Sequence, residues 1–402
     1  MGEKQVSILM VNYNHQDTIG EAIQSVLNQT YSNFRLVIVD DGSTDRSVEI
    51  VKEFEDERIE LYQMDKNRHI CEATNYGFTK IHGDYLARID SDDIWKSNRL
   101  EKQLDYMAEH PECRICFSWI DLIDETGTII NDKDSELLGL FETKFETQRE
   151  WLRTFFYVGN CLCHSSVLMT RELMEELGEF NRGFAQSHDF DYWVRAAKRC
   201  SCMHVIQERL VSLRRYSKET INNSRCTVEQ DTRFFNEYAE IRKHFFEDMS
   251  DEIFICAFGE DFKLATSVRK DELDCEKAFL LCTPINTTNS VPAAGIEALM
   301  KLTNNEKTKK LLEEKYNYTV KEFYKISCNH IYCDAYLETR EETLEKVIHE
   351  KEVLKKEILI KQEEQKQLLR IISEYENSTS WKFTRPLRKA GECIKRVKNS
   401  KR

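Results

Sequence analysis

Three polar clusters in the first hundred residues carry the side chains needed to hold a metal ion and a phosphate group. They span Asn12–Asn14, Asp40–Asp45 and Asp90–Asp93. Closely spaced carboxylates are hard oxygen ligands that suit Mg²⁺ or Mn²⁺, and these ions bind through one or two carboxylates plus phosphate oxygens of a substrate. A solvated acidic surface is the alternative, but each cluster directly follows an apolar segment. We therefore expect these loops to hold a divalent metal and a nucleotide diphosphate.

The apolar segments that precede the clusters predict parallel strands. Runs of β-forming residues cover Val6–Val11, Leu36–Val39, Ile59–Tyr62 and Tyr85–Ile89, and they alternate with segments of helical periodicity. This βαβαβαβ series predicts an α/β fold with a mostly parallel sheet. Ligands of such sheets bind beyond the carboxyl ends of the strands, which is where the clusters lie.

Local signals mark the helices between these strands. Thr18 and Glu21 have the spacing of a capping box ahead of an amphipathic helix, and Asp45 is placed to cap the next helix. A third helix is predicted near Ala73–Thr79. The clusters are therefore expected on the short loops that lead from strands into helices.

The sequence lacks the phosphate loops of several other enzyme classes. Neither G-x-x-x-x-G-K-[ST] nor G-x-G-x-x-G follows the first strand. Their absence argues against P-loop NTPases and dinucleotide-binding enzymes, and it favours a site in which a metal holds the phosphates. The formal net charge of -13 argues against a nucleic-acid-binding protein, because such proteins neutralise phosphates with Lys and Arg.

In this order and on these strand ends, the residues resemble the inverting glycosyltransferases of family 2, which have the GT-A fold. The resemblance extends over about residues 5–220, and its matching segments are Val6–Asn14, Ser25–Thr30, Val39–Asp45, Asn75–Gly77, Gly83–Asp93 and Gln186–Trp193. It implies a Rossmann-like, mostly parallel sheet and the transfer of a sugar from a nucleotide-sugar, with Mn²⁺ or Mg²⁺ as cofactor.

The resemblance also implies roles for the residues of the three clusters. Tyr13 would stack on the nucleotide base, Val11 would contact it through the backbone, Asp41 would accept from the base imide, Asp40 would support its loop, Asp90 would lie near the ribose and the metal, and Asp92 would bind the metal. Other interpretations stay open for two residues. Tyr13 could cap the core, and Asp93 could cap a helix ahead of Trp95.

An inverting transfer needs a base that removes the proton of the acceptor hydroxyl, and a carboxylate can do this. Asp189 stands at the position of the family's catalytic base. Asp191 is the competitor, although its i,i+4 spacing to Arg195 favours a structural ion pair. His164 and Trp193 are further candidates for the acceptor side, and a packed core histidine is the alternative for His164.

The sequence departs from the family pattern in two places. Tyr216 stands where many relatives have a histidine that helps to hold the metal or the diphosphate. Thr74 stands where many relatives have an arginine, so Arg68 and Arg214 are the candidates to contact the diphosphate instead.

The remaining composition points to a reduced, intracellular protein. No secretory signal pattern precedes the first strand, and the 14 cysteines have no regular spacing, so we expect buried thiols in the cytoplasm. Cys113 and Cys116 could form half of a zinc site, but no second pair matches them, and burial is the favoured interpretation. No apolar stretch reaches the roughly 18 residues of a membrane span, so any membrane contact would be peripheral.

Four regions are predicted along the chain: a GT-A domain over residues 1–225, a helical region of unknown role over 226–335, an amphipathic helix or coiled coil over 336–376, and a basic aromatic tail over 377–402. Within the first region, 115–123 and 128–130 are predicted to form a strand pair around a turn, and a strand is expected near 166–169.

The last two regions suggest partners. A heptad pattern from Leu344 to Tyr375 suggests a homo-oligomer. The tail from Trp381 onward combines cations with aromatic residues, so it would either lie on the inner face of an anionic membrane or form a solvated tail.

By its resemblance, the sequence thus predicts a metal-dependent inverting glycosyltransferase of bacterial surface polysaccharide synthesis, with a nucleotide-sugar donor of the UDP type and a glycan or lipid-linked acceptor. Two alternatives stay open. One is a non-catalytic nucleotide-binding scaffold that acts through its coiled-coil helix. The other is a metal-dependent nucleotidyltransferase, although the Gly/Arg/Lys-rich loop of such enzymes is missing after the first strand.

Overall fold

The computed structural model describes residues 4–216, 228–284, 292–328 and 335–399. The chain divides into two compact units, Met1–Asp334 and Ala335–Arg402. The first unit contains an eight-stranded sheet in its described part, with helices on both faces and further helices after the sheet. The second unit consists of two helices in its described part.

Half of the sheet is the parallel array that the sequence predicts. It comprises β1 (Val6–Asn12), β2 (Phe34–Asp40), β3 (Ile59–Gln63) and β4 (Tyr85–Asp90), in the spatial order β3-β2-β1-β4. The register aligns Asn12 with Asp40, and Val11 with Asp90. The polar clusters therefore emerge side by side at one edge of the sheet, which confirms the predicted arrangement.

The other half of the sheet is of mixed direction. It comprises β5 (Ile94–Trp95), β6 (Cys113–Ile123), β7 (Leu168–Thr170) and β8 (Cys202–Arg214), and the full order is β3-β2-β1-β4-β7-β6-β8-β5. Strand β7 runs antiparallel to β4 and β6, whereas β6 and β8 are parallel.

The predicted strand pair around the turn after β6 is confirmed only in part, because residues 128–130 do not form a strand. The turn forms, but only the isolated bridge between Ile123 and Ile129 follows it within the described chain. Strand β6 instead pairs along its length with β8. The physical reason is burial: β8 offers a long, largely buried partner, while Ile129 is 57% exposed. Cys113 and Cys116 on β6 are buried, as predicted.

Eight helices pack around the sheet in the described residues. They are α1 (Ile19–Leu27), α2 (Ser47–Lys52), α3 (His69–Phe78), α4 (Arg99–Glu109), α5 (Ser135–Phe141), α6 (Gln148–Tyr157), α7 (Arg171–Leu177) and α8 (His188–Arg199). Alternate strand residues face opposite sides. Accordingly, Leu9 and Val37 belong to the apolar cluster under α3, α6 and α8, whereas Ile8 and Ile38 belong to the cluster under α1 and α4.

The predicted helix caps have different outcomes. Asp45 accepts a hydrogen bond from the Ser47 backbone nitrogen (2.9 Å) at the start of α2, which confirms its prediction. The capping box at α1 is wrong. The Thr18 hydroxyl donates to the Ser91 carbonyl (3.2 Å), and the Glu21 carboxylate pairs with Arg214, so long-range partners displace the local hydrogen bonds.

Six helices follow the sheet in the first unit: α9 (Val228–Lys243), α10 (Asp251–Phe258), α11 (Lys270–Leu281), α12 (Ala293–Thr303), α13 (Glu306–Tyr316) and α14 (Val320–Ile326). The first of them share a core with the sheet. The ring of Phe156 in α6 lies 5.1 Å from that of Phe245 and 5.3 Å from that of Phe258. The helical region is therefore packed onto the domain that carries the site.

The second unit contains α15 (Ala335–Asn377) and α16 (Thr379–Asn399). Among the described helices, none is both long and apolar enough to cross a membrane.

Candidate active site

The loop after β2 is fixed from within by Asp40. This carboxylate is buried and accepts hydrogen bonds from Asn12 Nδ2 (2.8 Å) and the Ser43 backbone nitrogen (2.9 Å). It therefore joins the ends of β1 and β2, which fits the supporting role that the family resemblance implies.

Asp41 lies against the neighbouring loop that contains Arg68. Its Oδ1 accepts from the Arg68 backbone nitrogen at 2.7 Å, and burial raises the pKa of its carboxyl group. Gly42 permits this contact: its φ is +75°, and a Cβ there would lie 2.5 Å from the Lys66 carbonyl carbon. The Arg68 guanidinium itself pairs with Asp65 at 2.8 Å and lies at the surface.

Tyr13 follows β1 as an exposed aromatic ring beside this loop, with 41% of the residue accessible. Its neighbour Asn14 is held in place, because the Asn14 backbone nitrogen donates to Ser43 Oγ (2.9 Å) and its side chain accepts from Thr44 (2.8 Å). The exposure speaks against the core-capping alternative. Val11 is buried in β1 directly before this turn.

Asp90 ends β4 and pairs with Arg88, whose Nη2 lies 2.9 Å from Asp90 Oδ1. Arg88 is buried and also donates to Thr74 Oγ1 (3.0 Å). Thr74, which stands where many relatives have an arginine, thus holds Arg88 in place. Arg88 was not among the predicted site residues, and the signal that could have found it is a cation two residues before Asp90 in an otherwise apolar strand.

Asp92 and Asp93 have separate positions. Asp93 is fully buried and accepts from the Arg214 backbone nitrogen (2.9 Å), and burial together with Asp92 and Asp90 raises the pKa of its carboxyl group well above the usual range. Asp93 precedes β5 rather than a helix, so the helix-cap interpretation is wrong. Burial, reinforced by Asp90, also raises the pKa of Asp92.

Two side chains near Asp92 counteract this rise. The neighbouring His15 lowers the pKa of Asp92, and so does a hydrogen bond between the Tyr216 hydroxyl and the Asp92 carboxylate. Tyr216 therefore reaches the predicted metal ligand from the position of the missing histidine. His15 was not predicted, and the available signal was its place directly after the Asn12–Asn14 cluster.

Arg214 is turned into the protein. Its Nε donates to the Asp92 carbonyl (2.8 Å), its Nη1 to the Asp124 and Glu125 carbonyls (3.0 Å each), and its Nη2 to Glu21 Oε2 (2.6 Å). Only 1% of its side chain is exposed. The structure therefore contradicts the expectation that Arg214 contacts a diphosphate, because acceptors of the protein already occupy its guanidinium.

The donor set fits a cation that is shared with a substrate. No group of three or more His, Cys, Asp or Glu side chains with the geometry of a complete metal site occurs among the described residues. Asp90 and Asp92 instead offer two neighbouring carboxylates, which is the protein share of a site completed by phosphate oxygens. A divalent cation would offset the burial of Asp92 and its repulsion by Asp90, which together raise the pKa of Asp92.

Asp189 lies in the first turn of α8. Its Oδ2 accepts from Asn160 Nδ2 (2.9 Å) and its Oδ1 from the Phe190 backbone nitrogen (2.7 Å). Burial raises the pKa of Asp189 to about 6, and the charge of Asp90 contributes to the rise. A carboxylate with this pKa is largely ionised at neutral pH and can still accept a proton during a reaction.

The other candidates for the acceptor side are engaged within the protein. Asp191 forms the predicted ion pair with Arg195 (3.0 Å). Trp193 is fully buried, with its ring 4.9 Å from that of Phe117. The His164 ring packs 5.7 Å from Trp193, and burial lowers the pKa of His164 well below its ordinary value. This geometry favours structural roles for all three residues.

Comparisons with known proteins show which family the site-bearing part of the chain matches. The model of glycosyl transferase family 2 matches residues 7–178. The putative teichuronic acid biosynthesis glycosyltransferase TuaG of Bacillus subtilis is 38% identical over 125 residues, which are 31% of this chain and 49% of TuaG. The O-antigen biosynthesis glycosyltransferase WbnJ of Escherichia coli is 28% identical over 222 residues, which are 54% of this chain and 81% of WbnJ.

The fold is also that of a solved structure. Staphylococcus aureus TarS 1-349 in complex with UDP-GlcNAc superposes with a TM-score of 0.50 at 15% identity, covering 80% of this chain and 89% of the other. The sheet order, the acidic strand ends and the family match therefore lead to one conclusion: residues 7–178 of the chain form part of a domain of glycosyl transferase family 2, and this domain has the GT-A fold.

Proposed function

We propose that this protein transfers a sugar from a UDP-sugar, with inversion, to a hydroxyl group of a glycan or lipid-linked acceptor during assembly of a bacterial surface polysaccharide. The observation that carries the proposal is that a buried carboxylate and an acidic strand end interact within one unit. The buried carboxylate is that of Asp189. Its pKa is raised to about 6 by burial, and Asp90 at the end of β4 contributes to the rise. The named functions of TuaG and WbnJ support the polysaccharide pathway.

The acidic strand ends would bind the donor. Tyr13 would stack on the base, the Val11 backbone and Asp41 would contact it, and Asp40 would hold this loop rigid. Asp90 would lie near the ribose, and Asp92 with Asp90 would bind Mn²⁺ or Mg²⁺. Arg68, at the surface beside Asp41, is the candidate to contact the diphosphate. When bound, the metal would neutralise the charge of the departing diphosphate.

Asp189 would act as the general base. It would take the proton of the acceptor hydroxyl as that oxygen forms a bond to the anomeric carbon and the bond to the diphosphate breaks on the opposite face. Inversion follows from this single displacement. Burial serves this role, because it raises the proton affinity of the carboxylate towards the working pH.

The proposal is tested by isothermal titration calorimetry with UDP, with and without Mn²⁺, followed by a screen of UDP-sugars for metal-dependent hydrolysis. We expect UDP binding that requires the metal, and slow release of UDP from one donor. Binding without hydrolysis or transfer would favour the scaffold, and release of pyrophosphate from a nucleoside triphosphate would favour a nucleotidyltransferase.

The second unit would bring the enzyme to its acceptor. We propose that α15 pairs with a second copy of the chain and that α16 lies on the inner face of an anionic membrane, where a lipid-linked acceptor is available. The side chains of α16 support this placement: Phe383 and Leu387 are 86% and 76% exposed and one helical turn apart, with Lys382, Arg385, Arg388 and Lys389 around them.

A further inference from the structure

A buried carboxylate on α9 holds the segment that leads into the helix of Asp189. Glu237 is 5% exposed, and it accepts hydrogen bonds from three consecutive backbone nitrogens, those of Ala185 (2.7 Å), Gln186 (2.9 Å) and Ser187 (2.7 Å). Hydrogen bonds to an ionised acceptor are shorter and stronger than those between neutral groups. One side chain therefore fixes the three residues that precede α8.

The next residue of α9 supports Asp189 from a second direction. The Tyr238 hydroxyl accepts from the Asn160 backbone nitrogen (3.0 Å), and Asn160 Nδ2 donates to Asp189. The Tyr238 ring also stacks on Phe190, which follows Asp189, with centroids 4.8 Å apart. A hydrogen-bond path thus runs from α9 through Asn160 to the proposed base.

Gly159 makes room for this arrangement. A Cβ at this position would lie 1.4 Å from the Tyr238 hydroxyl oxygen, and the backbone has a φ of +119°. Only glycine adopts such a conformation readily. The close approach of the 159–160 segment to Tyr238 is therefore a built feature of the fold.

We propose that α9, which lies beyond the segment that matches the family model, completes the active site, with Glu237 and Tyr238 as positioning residues for Asp189. The inference rests on the proposed function, because it assigns these residues to the base of that reaction. It gives the start of the helical region a role in catalysis. The donor end of the site, at β1, β2 and β4, has no part in these contacts.

Glu237→Gln is the primary test. The substitution keeps the shape, but the amide group turns an N–H donor towards backbone N–H donors and removes the charge. We expect faster hydrogen exchange of the Ala185–Ser187 amides and a fall in kcat of at least about 10-fold, while the Kd for UDP with Mn²⁺ stays unchanged. Glu240→Gln is the matched control, since the exposed Glu240 lies on the same helix and contacts only His244 in the described structure.

Asn160→Ala tests the path to the base by a pH profile. Donation from Asn160 lowers the pKa of Asp189, while Arg88 lowers it and Asp90 raises it from the strand side. Loss of the donation raises this pKa, so the acidic limb of the transfer rate should move to higher pH. Tyr238→Phe should move the limb in the same direction, whereas Tyr324→Phe, at an exposed tyrosine, should leave it in place.

The results separate this inference from the proposed function. Unchanged amide exchange in Glu237→Gln would overturn the anchoring of the segment, whatever reaction the protein performs. Faster exchange with an unchanged kcat and an unmoved pH limb would overturn the positioning role. A wild-type protein without transfer or hydrolysis would instead refute the proposed function, and the exchange measurement would still report on the contact.

Discussion

At the scale of single residues, the site depends on carboxylates that share one residue type but differ in environment. Asp40 accepts hydrogen bonds from within the protein, and Asp93 is buried in the core. Burial raises the pKa values of Asp92 and Asp189. These environments fit the proposed roles, which are structural for Asp40 and Asp93, metal-binding for Asp92 and proton-accepting for Asp189.

Asp92→Ala should abolish metal-dependent donor binding. The variant loses one of two proposed metal ligands, so the affinity for UDP in the presence of Mn²⁺ should fall by at least about 10-fold. Calorimetry with and without Mn²⁺ measures this, with Asp105→Ala as the control, because Asp105 is exposed on α4. Full metal-dependent affinity in Asp92→Ala would move the metal to other residues.

Asp189→Asn should separate binding from transfer. The amide keeps the shape but cannot take a proton, so the transfer rate should fall about 10²–10⁴-fold at an unchanged Kd for UDP. Retained transfer in this variant would move the base to another residue, with Asp191 the next to test.

The wild-type pH profile follows from the raised pKa of Asp189. A base works only when deprotonated, so the rate should decline as the pH falls below about 6 and level off above it. Steady-state rates from pH 5 to 8 with the metal at saturation check this, and a rate that stays constant down to pH 5 would show that the active carboxylate has an ordinary pKa.

At the scale of elements, the parallel register of β1, β2 and β4 aligns the ends of these strands. Asp189 lies in the first turn of α8, where it interacts with Asp90 at the end of β4. The helix α15 differs from these elements because its apolar side chains are exposed. Its 43 residues form a rod of about 65 Å, and its apolar side chains from Leu344 to Tyr375 are 43–69% exposed. Such a helix gains stability from a packing partner.

Ile358→Glu should dissociate the proposed pair of α15 helices. Ile358 falls on the heptad seam with Leu344, Val347 and Leu354, so a charge there would be buried in the interface. Sedimentation should show a dimer for the wild type and a monomer for Ile358→Glu. Ile360→Glu is the matched control, since Ile360 is 60% exposed and off the seam; a monomeric wild type would contradict the pairing.

At the scale of the whole molecule, the chain combines the unit that contains the candidate active site with a second unit whose last helix, α16, differs from the rest of the chain in charge. The net charge of the whole chain is -13, yet the described side chains of α16 carry four cations, Lys382, Arg385, Arg388 and Lys389, against the single acid Glu392. The cations and the exposed aromatic and aliphatic side chains fit an anionic lipid surface better than bulk water.

Removal of the apolar face of α16 should weaken membrane binding without altering catalysis. Burying Leu or Phe contributes about 1.5–3 kcal/mol, so Phe383→Ser with Leu387→Ser should reduce partition into phosphatidylglycerol vesicles about 10-fold or more. Vesicle sedimentation measures this, and UDP-sugar hydrolysis should stay at the wild-type rate. Val268→Ser is the control, because Val268 is 70% exposed outside α16. Unchanged partition would make α16 a merely solvated helix.

The parallel strands, the acidic loops at their carboxyl ends and the Asp191–Arg195 pair could all be predicted from the sequence, because apolar runs, strand ends and i,i+4 contacts are local properties of the chain. Its family resemblance selected Asp189 about a hundred residues downstream. These features needed no knowledge of which distant segments meet.

The long-range partners of the buried polar groups became visible in the folded structure alone. Glu21 pairs with Arg214 instead of forming the capping box, and Tyr216 is hydrogen-bonded to Asp92. Glu237 accepts hydrogen bonds from the segment before Asp189. Each contact joins residues far apart in sequence, where a buried charge must find its partner wherever the packed core provides one. Local patterns cannot predict such partners, because the choice is made by the competition between distant groups once the sheet and helices have packed.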